Sequence, residues 1–133
     1  MIFCLDTNVI IHAMRGMSSV IEKLEQQEVQ SIKIPEIVRA ELVFGCLKSG
    51  FRERESARVA AVLAPFESVP FAGTAVDHYA EIRCDLEARG QLIGPNDMLI
   101  AATALSLGAT LVTANRNEFE RVSGLAVEDW SLV

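Results

Sequence analysis

Short apolar runs alternate along the chain with longer segments in which apolar residues recur every three or four positions. The short runs have the length of buried strands and stop at polar clusters. They predict five strands, over residues 2–5, 31–34, 66–69, 110–112 and 125–127.

The longer segments predict helices over residues 8–14, 18–28, 35–47, 52–63, 72–89 and 95–107. Ser18 or Ser19 can cap the second helix, and Pro35 suits the first turn of the third. Gly90 and Gly108 stand where the last two helices should end. The last helix is apolar almost all the way round, which predicts that it is buried.

This alternation predicts one α/β domain over residues 1–133, with a parallel sheet between two layers of helices. Ligands of such sheets bind beyond the carboxyl ends of the strands. Asp6 ends the first strand and residues 113–115 end the fourth, so a site is expected there.

Glu41 is a carboxylate among apolar neighbours on the predicted third helix. On a helical wheel it lies beside Val38, Phe44 and Gly45, with Lys48 at the edge of this face. Burying a carboxylate is costly unless it is paired or bound to a cation. An ion pair with Lys48 is the alternative, although a spacing of two helical turns suits it poorly.

Two aspartates lie where helices begin. Asp97 opens the apolar helix and Asp6 precedes the first helix. One interpretation is that each is simply a helix cap. With Glu41 they can instead converge beyond the strand ends, where three carboxylates require a cation or protons. Oxygen ligands without a cluster of His or Cys favour Mg²⁺ or Mn²⁺ over zinc, and His12 and His78 are isolated.

The net charge of −6 argues against broad electrostatic capture of nucleic acid. One cluster of basic residues runs against this balance, although Glu53 and Glu55 interleave with it and a solvated helix face would explain it equally well. The cluster consists of Lys48, Arg52, Arg54 and Arg58.

Cysteine usage and hydropathy concern the compartment. Cys4, Cys46 and Cys84 are far apart in apolar or helical contexts, which favours reduced, buried thiols in the cytoplasm. No cationic segment precedes the first apolar run, and no apolar run approaches the length of a membrane span. We therefore expect neither a signal peptide nor a membrane partner.

Four segments, in order, resemble the motifs of PIN-domain proteins, and their spacing is similar to that of the VapC toxins of bacterial toxin–antitoxin pairs. The segments are Ile2-Phe-Cys-Leu-Asp6-Thr-Asn8, Ala40-Glu41-Leu42 with Gly45, Gly94-Pro-Asn-Asp97 with Ile100-Ala-Ala102, and Leu111-Val-Thr-Ala-Asn115 with Glu118-Phe119.

The resemblance implies a PIN-like three-layer α/β/α sandwich with a central, mainly parallel sheet of four to five short strands. It also implies an endoribonuclease that depends on Mg²⁺ or Mn²⁺ and leaves 5′-phosphate and 3′-hydroxyl ends. Matched motif by motif, Asp6, Glu41 and Asp97 become the catalytic residues and metal ligands.

Several neighbouring residues are auxiliary candidates. Asn115 stands where many family members have a fourth acid, and a neutral oxygen ligand leaves a second metal site open. Glu118 could supply that charge, or it could be a surface acid at the start of a short helix. Thr7, Asn8 and Thr113 could orient ligands or waters, while Asn8 could instead form a turn.

The resemblance further implies an RNA substrate, with a tRNA anticodon loop suggested by similar toxins. It implies a VapB-like antitoxin that packs in an apolar groove, and either a homodimer or a toxin–antitoxin hetero-oligomer. Residues 20–24 and 59–63 are the expected groove walls. Arg116, Lys48 and Arg52 are the expected contacts to the RNA backbone.

Two other functions compete with the nuclease. A phosphotransfer domain would use Asp6 and Thr113 as an aspartyl-phosphate site, but no Lys follows Lys48 and Asn8 replaces the second Asp of a phosphatase. A non-catalytic binding module would use the acids only as caps and surface charges. Dinucleotide binding is remote, because no Gly-x-Gly-x-x-Gly follows a strand.

Overall fold

A computed structural model describes residues 1–132 of the chain. It contains the strands β1 (Phe3–Leu5), β2 (Ile32–Pro35), β3 (Glu67–Val69), β4 (Thr110–Val112) and β5 (Ala126–Glu128). They form one sheet in the order β3-β2-β1-β4-β5, and every neighbouring pair is parallel. The expected parallel sheet is confirmed.

Helices flank this sheet on both faces, so the three-layer α/β/α architecture is confirmed. They are α1 (Thr7–Met14), α2 (Ser18–Glu25), α3 (Glu36–Lys48), α4 (Arg52–Leu63), α5 (Thr74–Ala88), α6 (Pro95–Ser106) and α7 (Arg116–Phe119). In one group α1 packs against α2, α3 and α4, and in another α5 packs against α6. No helix within residues 1–132 is long and apolar enough to cross a bilayer.

The core is built around β1, β4 and α6. Every residue of β1 and β4 is buried, as are Met98 and Ile100–Ala104 of α6. Thr103 is tolerated there because its hydroxyl donates to the Leu99 carbonyl, at 2.8 Å. The burial predicted for this helix is therefore confirmed.

Three local predictions were wrong. The N-cap of α2 is Met17, with no side-chain cap, and the Ser19 hydroxyl donates to the Ser131 carbonyl instead. The helix also ends at Glu25, before a 3₁₀ turn at Val29–Ser31. Cys84 is exposed, because α5 buries a different face.

The strand order places a topological switch beside β1. The chain proceeds outward from β1 to β2 and β3, and then returns to form β4 on the other side of β1. Connections on either side of such a point diverge, which opens a crevice beyond the carboxyl ends of the two strands. The residues that follow β1 and β4 therefore face a common site.

Candidate active site

Asp6 is held at the carboxyl end of β1 by its neighbours. Its backbone N–H donates to the Val112 carbonyl, at 2.9 Å, which extends the pairing of β1 with β4. The Thr113 hydroxyl donates to Asp6 Oδ2, at 2.7 Å, and the Thr7 backbone N–H donates to Oδ1, at 2.8 Å. Burial raises the pKa of this carboxyl, and the two hydrogen bonds oppose the rise.

Glu41 lies beside Asp6 through the intervening Thr7. The Thr7 hydroxyl donates to Glu41 Oε1, at 3.0 Å, while the Thr7 backbone binds the carboxylate of Asp6. The alternative ion pair with Lys48 is wrong, because the Lys48 ammonium lies over the Phe44 ring, 5.4 Å from its centroid. Thr7, the residue after Asp6, thus links two of the three predicted acids.

The apolar face of α3 differs from the expected one. Its buried residues are Val38, Leu42 and Cys46, one every four positions, whereas Phe44 is 61% exposed. Glu41 is therefore half-buried at the border of the apolar face and does not lie in its middle. This position lets the carboxylate face the carboxyl ends of the strands while the rest of α3 packs on the core.

Asp97 enters the same site from the first turn of α6. No side chain caps this helix, so the capping alternative for Asp97 has no support in its geometry. A Cβ on Gly94 would lie 3.2 Å from Asp97 Oδ2. The absence of a side chain at Gly94 therefore gives the carboxylate room, a role that sequence reasoning missed and that a Gly-Pro pair at a helix start could have suggested.

Asp97 lies within electrostatic range of three other acids. Burial is the largest cause that raises the pKa of Asp97 to about 6, and the charges of Asp6, Glu118 and Glu41 contribute the rest of the rise in that order of size. None of the ion pairs within residues 1–132 includes any of these four carboxylates. The crevice is therefore a region of uncompensated negative charge.

The acids do not yet form a coordination shell. Among residues 1–132, no three His, Cys, Asp or Glu side chains are arranged in a group that could hold a metal ion. Asp6 is 6% exposed and accepts two hydrogen bonds, while Glu41 and Asp97 are half-buried. Whether Glu41 and Asp97 can reach a common ion depends on rotation of their side chains.

The auxiliary candidates divide by position. Thr7 and Thr113 contact the acids directly, and the Thr113 hydroxyl also accepts a hydrogen bond from the Asn115 backbone N–H, at 2.9 Å. Glu118 lies on α7, close enough to raise the pKa of Asp97. Asn8 is exposed, and within residues 1–132 its side chain forms no hydrogen bond to the acids.

Comparison with known proteins decides the family. The PIN domain model matches residues 3–125. Ribonuclease VapC2 of Rickettsia felis is 38% identical over 132 residues, which cover 98% of each chain. The chain belongs to the PIN-domain family of VapC ribonucleases.

Other members of the VapC group match this chain over nearly its whole length. The tRNA(fMet)-specific endonuclease VapC of Shigella flexneri is 33% identical over 129 residues, covering 97% of this chain and 98% of its own. The DNA-bound VapBC structure from Salmonella typhimurium superposes with a TM-score of 0.92 at 34% identity, covering 98% of both chains. The structure of VapBC2 of Rickettsia felis bound to a promoter DNA fragment superposes with a TM-score of 0.90 at 36% identity, covering 98% of this chain and 99% of that one.

Proposed function

We propose that this VapC-type chain is a metal-dependent endoribonuclease, in which Asp6, Glu41 and Asp97 hold Mg²⁺ or Mn²⁺ against an RNA phosphate. The observation that carries the proposal is the convergence of acids from distant segments on Asp97, whose pKa is raised to about 6. Carboxylates that repel one another are stable together when a cation or a shared proton offsets the repulsion.

The chemistry of the donors fits a hard divalent cation. The three side chains offer only carboxylate oxygens, which suit Mg²⁺ and Mn²⁺. Asp6 is oriented by Thr113 and Thr7, so it would be the fixed ligand. Glu41 and Asp97 would turn toward the ion from the two helices that border the crevice.

A bound cation would lower the pKa of a water and stabilise charge on the phosphate. The protein would orient the groups: Thr113 holds Asp6, Thr7 holds both Asp6 and Glu41, and Gly94 leaves room for Asp97. A water would lose a proton and its oxygen would bond to phosphorus in line with the 3′ oxygen. The bond between phosphorus and the 3′ oxygen would break, and the 3′ oxygen would take up a proton and leave as a 3′-hydroxyl. The phosphate would remain on the 5′ end of the downstream fragment.

Cleavage of labelled RNA tests the assignment. We expect activity with Mg²⁺ or Mn²⁺, none with EDTA, and a loss of at least 100-fold, on the order of several kcal/mol of transition-state stabilisation, in Asp6→Asn and Asp97→Asn. Asp77→Asn is the matched control, because Asp77 lies in the first turn of α5 as Asp97 does in α6 but is exposed and remote from the acids. Full activity in either site variant contradicts the assignment.

The product ends test the direction of bond breaking. Attack by water predicts a 5′-phosphate that a 5′-phosphate-dependent exonuclease degrades. A 2′,3′-cyclic phosphate would show instead that the neighbouring ribose hydroxyl is the nucleophile, which excludes the proposed hydrolysis.

We also propose a tRNA substrate and an antitoxin partner. A similar VapC is a tRNA(fMet)-specific endonuclease, and similar structures are VapBC complexes. A groove of about 280 Å³ between α1, α3 and α4 is lined by Leu42, Val59 and Phe51 and reaches Glu41. An apolar antitoxin segment with a cationic residue would suit this groove. The protein would encounter its tRNA substrate in the cytoplasm.

Only one of the two expected groove walls contributes to this groove. Val59 lines it, whereas residues 20–24 do not and Val20 is fully buried. Co-expression with a VapB-type antitoxin tests the pairing. We expect co-purification and inhibited cleavage, and a filled groove variant, Gly45→Leu, should lose the partner while its own folding midpoint changes little.

A further inference from the structure

Two exposed aromatic rings beside the site are each paired with a cation. Phe44 on α3 and Phe51 just before α4 are each 61% exposed. The Lys48 ammonium lies 5.4 Å from the centroid of the Phe44 ring, and the Arg54 guanidinium carbon lies 4.3 Å from that of Phe51. We call these four residues the cation–aromatic platform. Exposed rings of this size need an explanation, because burying them would favour folding.

The platform adjoins the acids. Glu41, Phe44 and Lys48 follow one stripe of α3, so Lys48 lies about 10 Å along the helix from Glu41. Phe51 and Glu41 line the same groove. The strip between them is open, because a Cβ on Gly45 would meet nothing within 4 Å. An RNA strand with one phosphate at the acids can therefore reach the platform with its neighbouring nucleotides.

The charge of the platform is opposite to that of the whole protein. The chain has 12 basic and 18 acidic residues, but residues 44–58 have four basic and two acidic ones. Glu55 pairs with Arg54 and Arg58, whereas Lys48 and Arg52 form no ion pair within residues 1–132. A polyanion would find its attraction here and repulsion elsewhere.

Rings and cations together match one class of ligand. Unpaired bases stack on exposed aromatic side chains, and their phosphates bind neighbouring Lys and Arg. A purely apolar partner would leave the cations without a role, and duplex RNA would keep its bases stacked away from the rings.

We propose that the cation–aromatic platform binds one or two unpaired nucleotides next to the cleaved phosphate, by stacking on Phe44 and Phe51 and by contacts from Lys48 and Arg54 to phosphate. The proposal rests on the proposed ribonuclease function. It makes the substrate an unpaired RNA segment, and it predicts that occupants of the adjoining groove compete with RNA.

Binding of a short fluorescent oligoribonucleotide tests the platform. The measurement uses full-length protein with Asp97→Asn to prevent cleavage. We expect Phe44→Ala with Phe51→Ala to raise Kd roughly tenfold or more for the unpaired oligonucleotide, with little effect on a duplex of the same sequence. Phe44→Tyr with Phe51→Tyr should restore binding, because a tyrosine ring also stacks.

The cations have a separate readout. Lys48→Gln or Arg54→Gln should each reduce the slope of log affinity against log salt by about 0.7, the value for one lost contact to single-stranded phosphate. Lys23→Gln on α2, also exposed, should leave the slope unchanged. Leu47→Ala is the matched apolar control, since Leu47 is 51% exposed on the same helix without a paired cation.

The outcomes separate this inference from the proposed function. Unchanged RNA affinity in the double alanine variant overturns the platform, and so does an equal loss in Leu47→Ala. If the variant keeps its RNA affinity but loses self-association or antitoxin binding, the platform is also overturned. That result would show that this face is a protein interface. Full cleavage by Asp6→Asn would overturn the proposed active site while the binding result stands.

Discussion

At the scale of single residues, Asp6 shows how a buried carboxyl group is held in one orientation. Its carboxylate accepts one hydrogen bond from Thr7 in its own loop and one from Thr113 across the sheet. A buried carboxylate without such partners would be protonated or would destabilise the fold. The pair of hydrogen bonds therefore keeps Asp6 available as an oxygen ligand.

Thr113→Val should destabilise the protein by about 1–3 kcal/mol at pH 7, because the buried carboxylate of Asp6 loses a donor while the side-chain volume is nearly unchanged. Thr113→Ser keeps the hydroxyl and should cost less. Urea unfolding of both variants measures the difference. Equal costs would show that the methyl group, and not the hydroxyl, is what stabilises this site.

Asp97→Asn should change the dependence of stability on pH. The pKa of Asp97 rises from 3.8 to about 6 on folding, so the folded state binds the proton more tightly than the unfolded chain does. That contribution is fully present below pH 3.8 and is lost as pH rises through 6, which leaves an unfavourable charge at neutral pH.

The variant removes this charge and should be more stable than the original by about 1 kcal/mol at pH 7.5, after allowance for solvent screening of the half-buried group. The gain should vanish near pH 4. Unfolding by urea in EDTA at both pH values measures it. A gain of the same size at both would show that repulsion among the acids is not its cause.

At the scale of elements, α7 depends on one anchor. A helix of four residues is too short to be stable alone, and Phe119 at its end is fully buried. This anchor places Glu118 on the side of Asp97. The same dependence on tertiary packing explains why the cap of α2 could not be predicted from Ser18 and Ser19.

Phe119→Ala should destabilise the protein by about 3–5 kcal/mol through the cavity it leaves. Phe119→Leu retains most of the apolar volume and should cost markedly less. Thermal unfolding measures both. The cleavage rate of folded Phe119→Leu would also show whether α7 must hold Glu118 in place; a normal rate together with a mobile α7 would argue that it need not.

At the scale of the whole molecule, the site joins segments that fold in different parts of the chain. Asp6 follows β1, Glu41 lies on α3 and Asp97 lies on α6. An ion bound by all three would therefore link segments that are distant along the chain. Such an ion binds the folded state and not the unfolded chain. Its binding free energy therefore adds to the free energy of unfolding.

Mn²⁺ should raise the unfolding midpoint in a concentration-dependent way, with a gain of about 2.7 kcal/mol at a hundred times Kd. Asp6→Asn should abolish most of this gain, and Asp77→Asn should retain it. Differential scanning fluorimetry across a Mn²⁺ titration measures the effect. A gain that survives in Asp6→Asn would place the ion elsewhere.

The amino-acid sequence by itself determined where the chain is extended or helical. The apolar runs ended within a residue or two of β1, β2 and β4, and α4 had the predicted bounds, because periodicity of apolar side chains reflects local backbone geometry. It also placed Asp6 at the end of a strand, Asp97 in the first turn of a helix and Glu41 within a helix. The direction of Phe44 was misjudged because a helical wheel does not say which apolar residues find a partner.

Only the tertiary structure decided that β1 and β4 are neighbours and that Thr113 reaches Asp6 across 107 positions of sequence. It also decided that Thr7 joins Asp6 to Glu41 and that three other acids raise the pKa of Asp97. These facts depend on distances between remote side chains. Such distances follow from how all helices pack on the sheet, which no local pattern of residues contains.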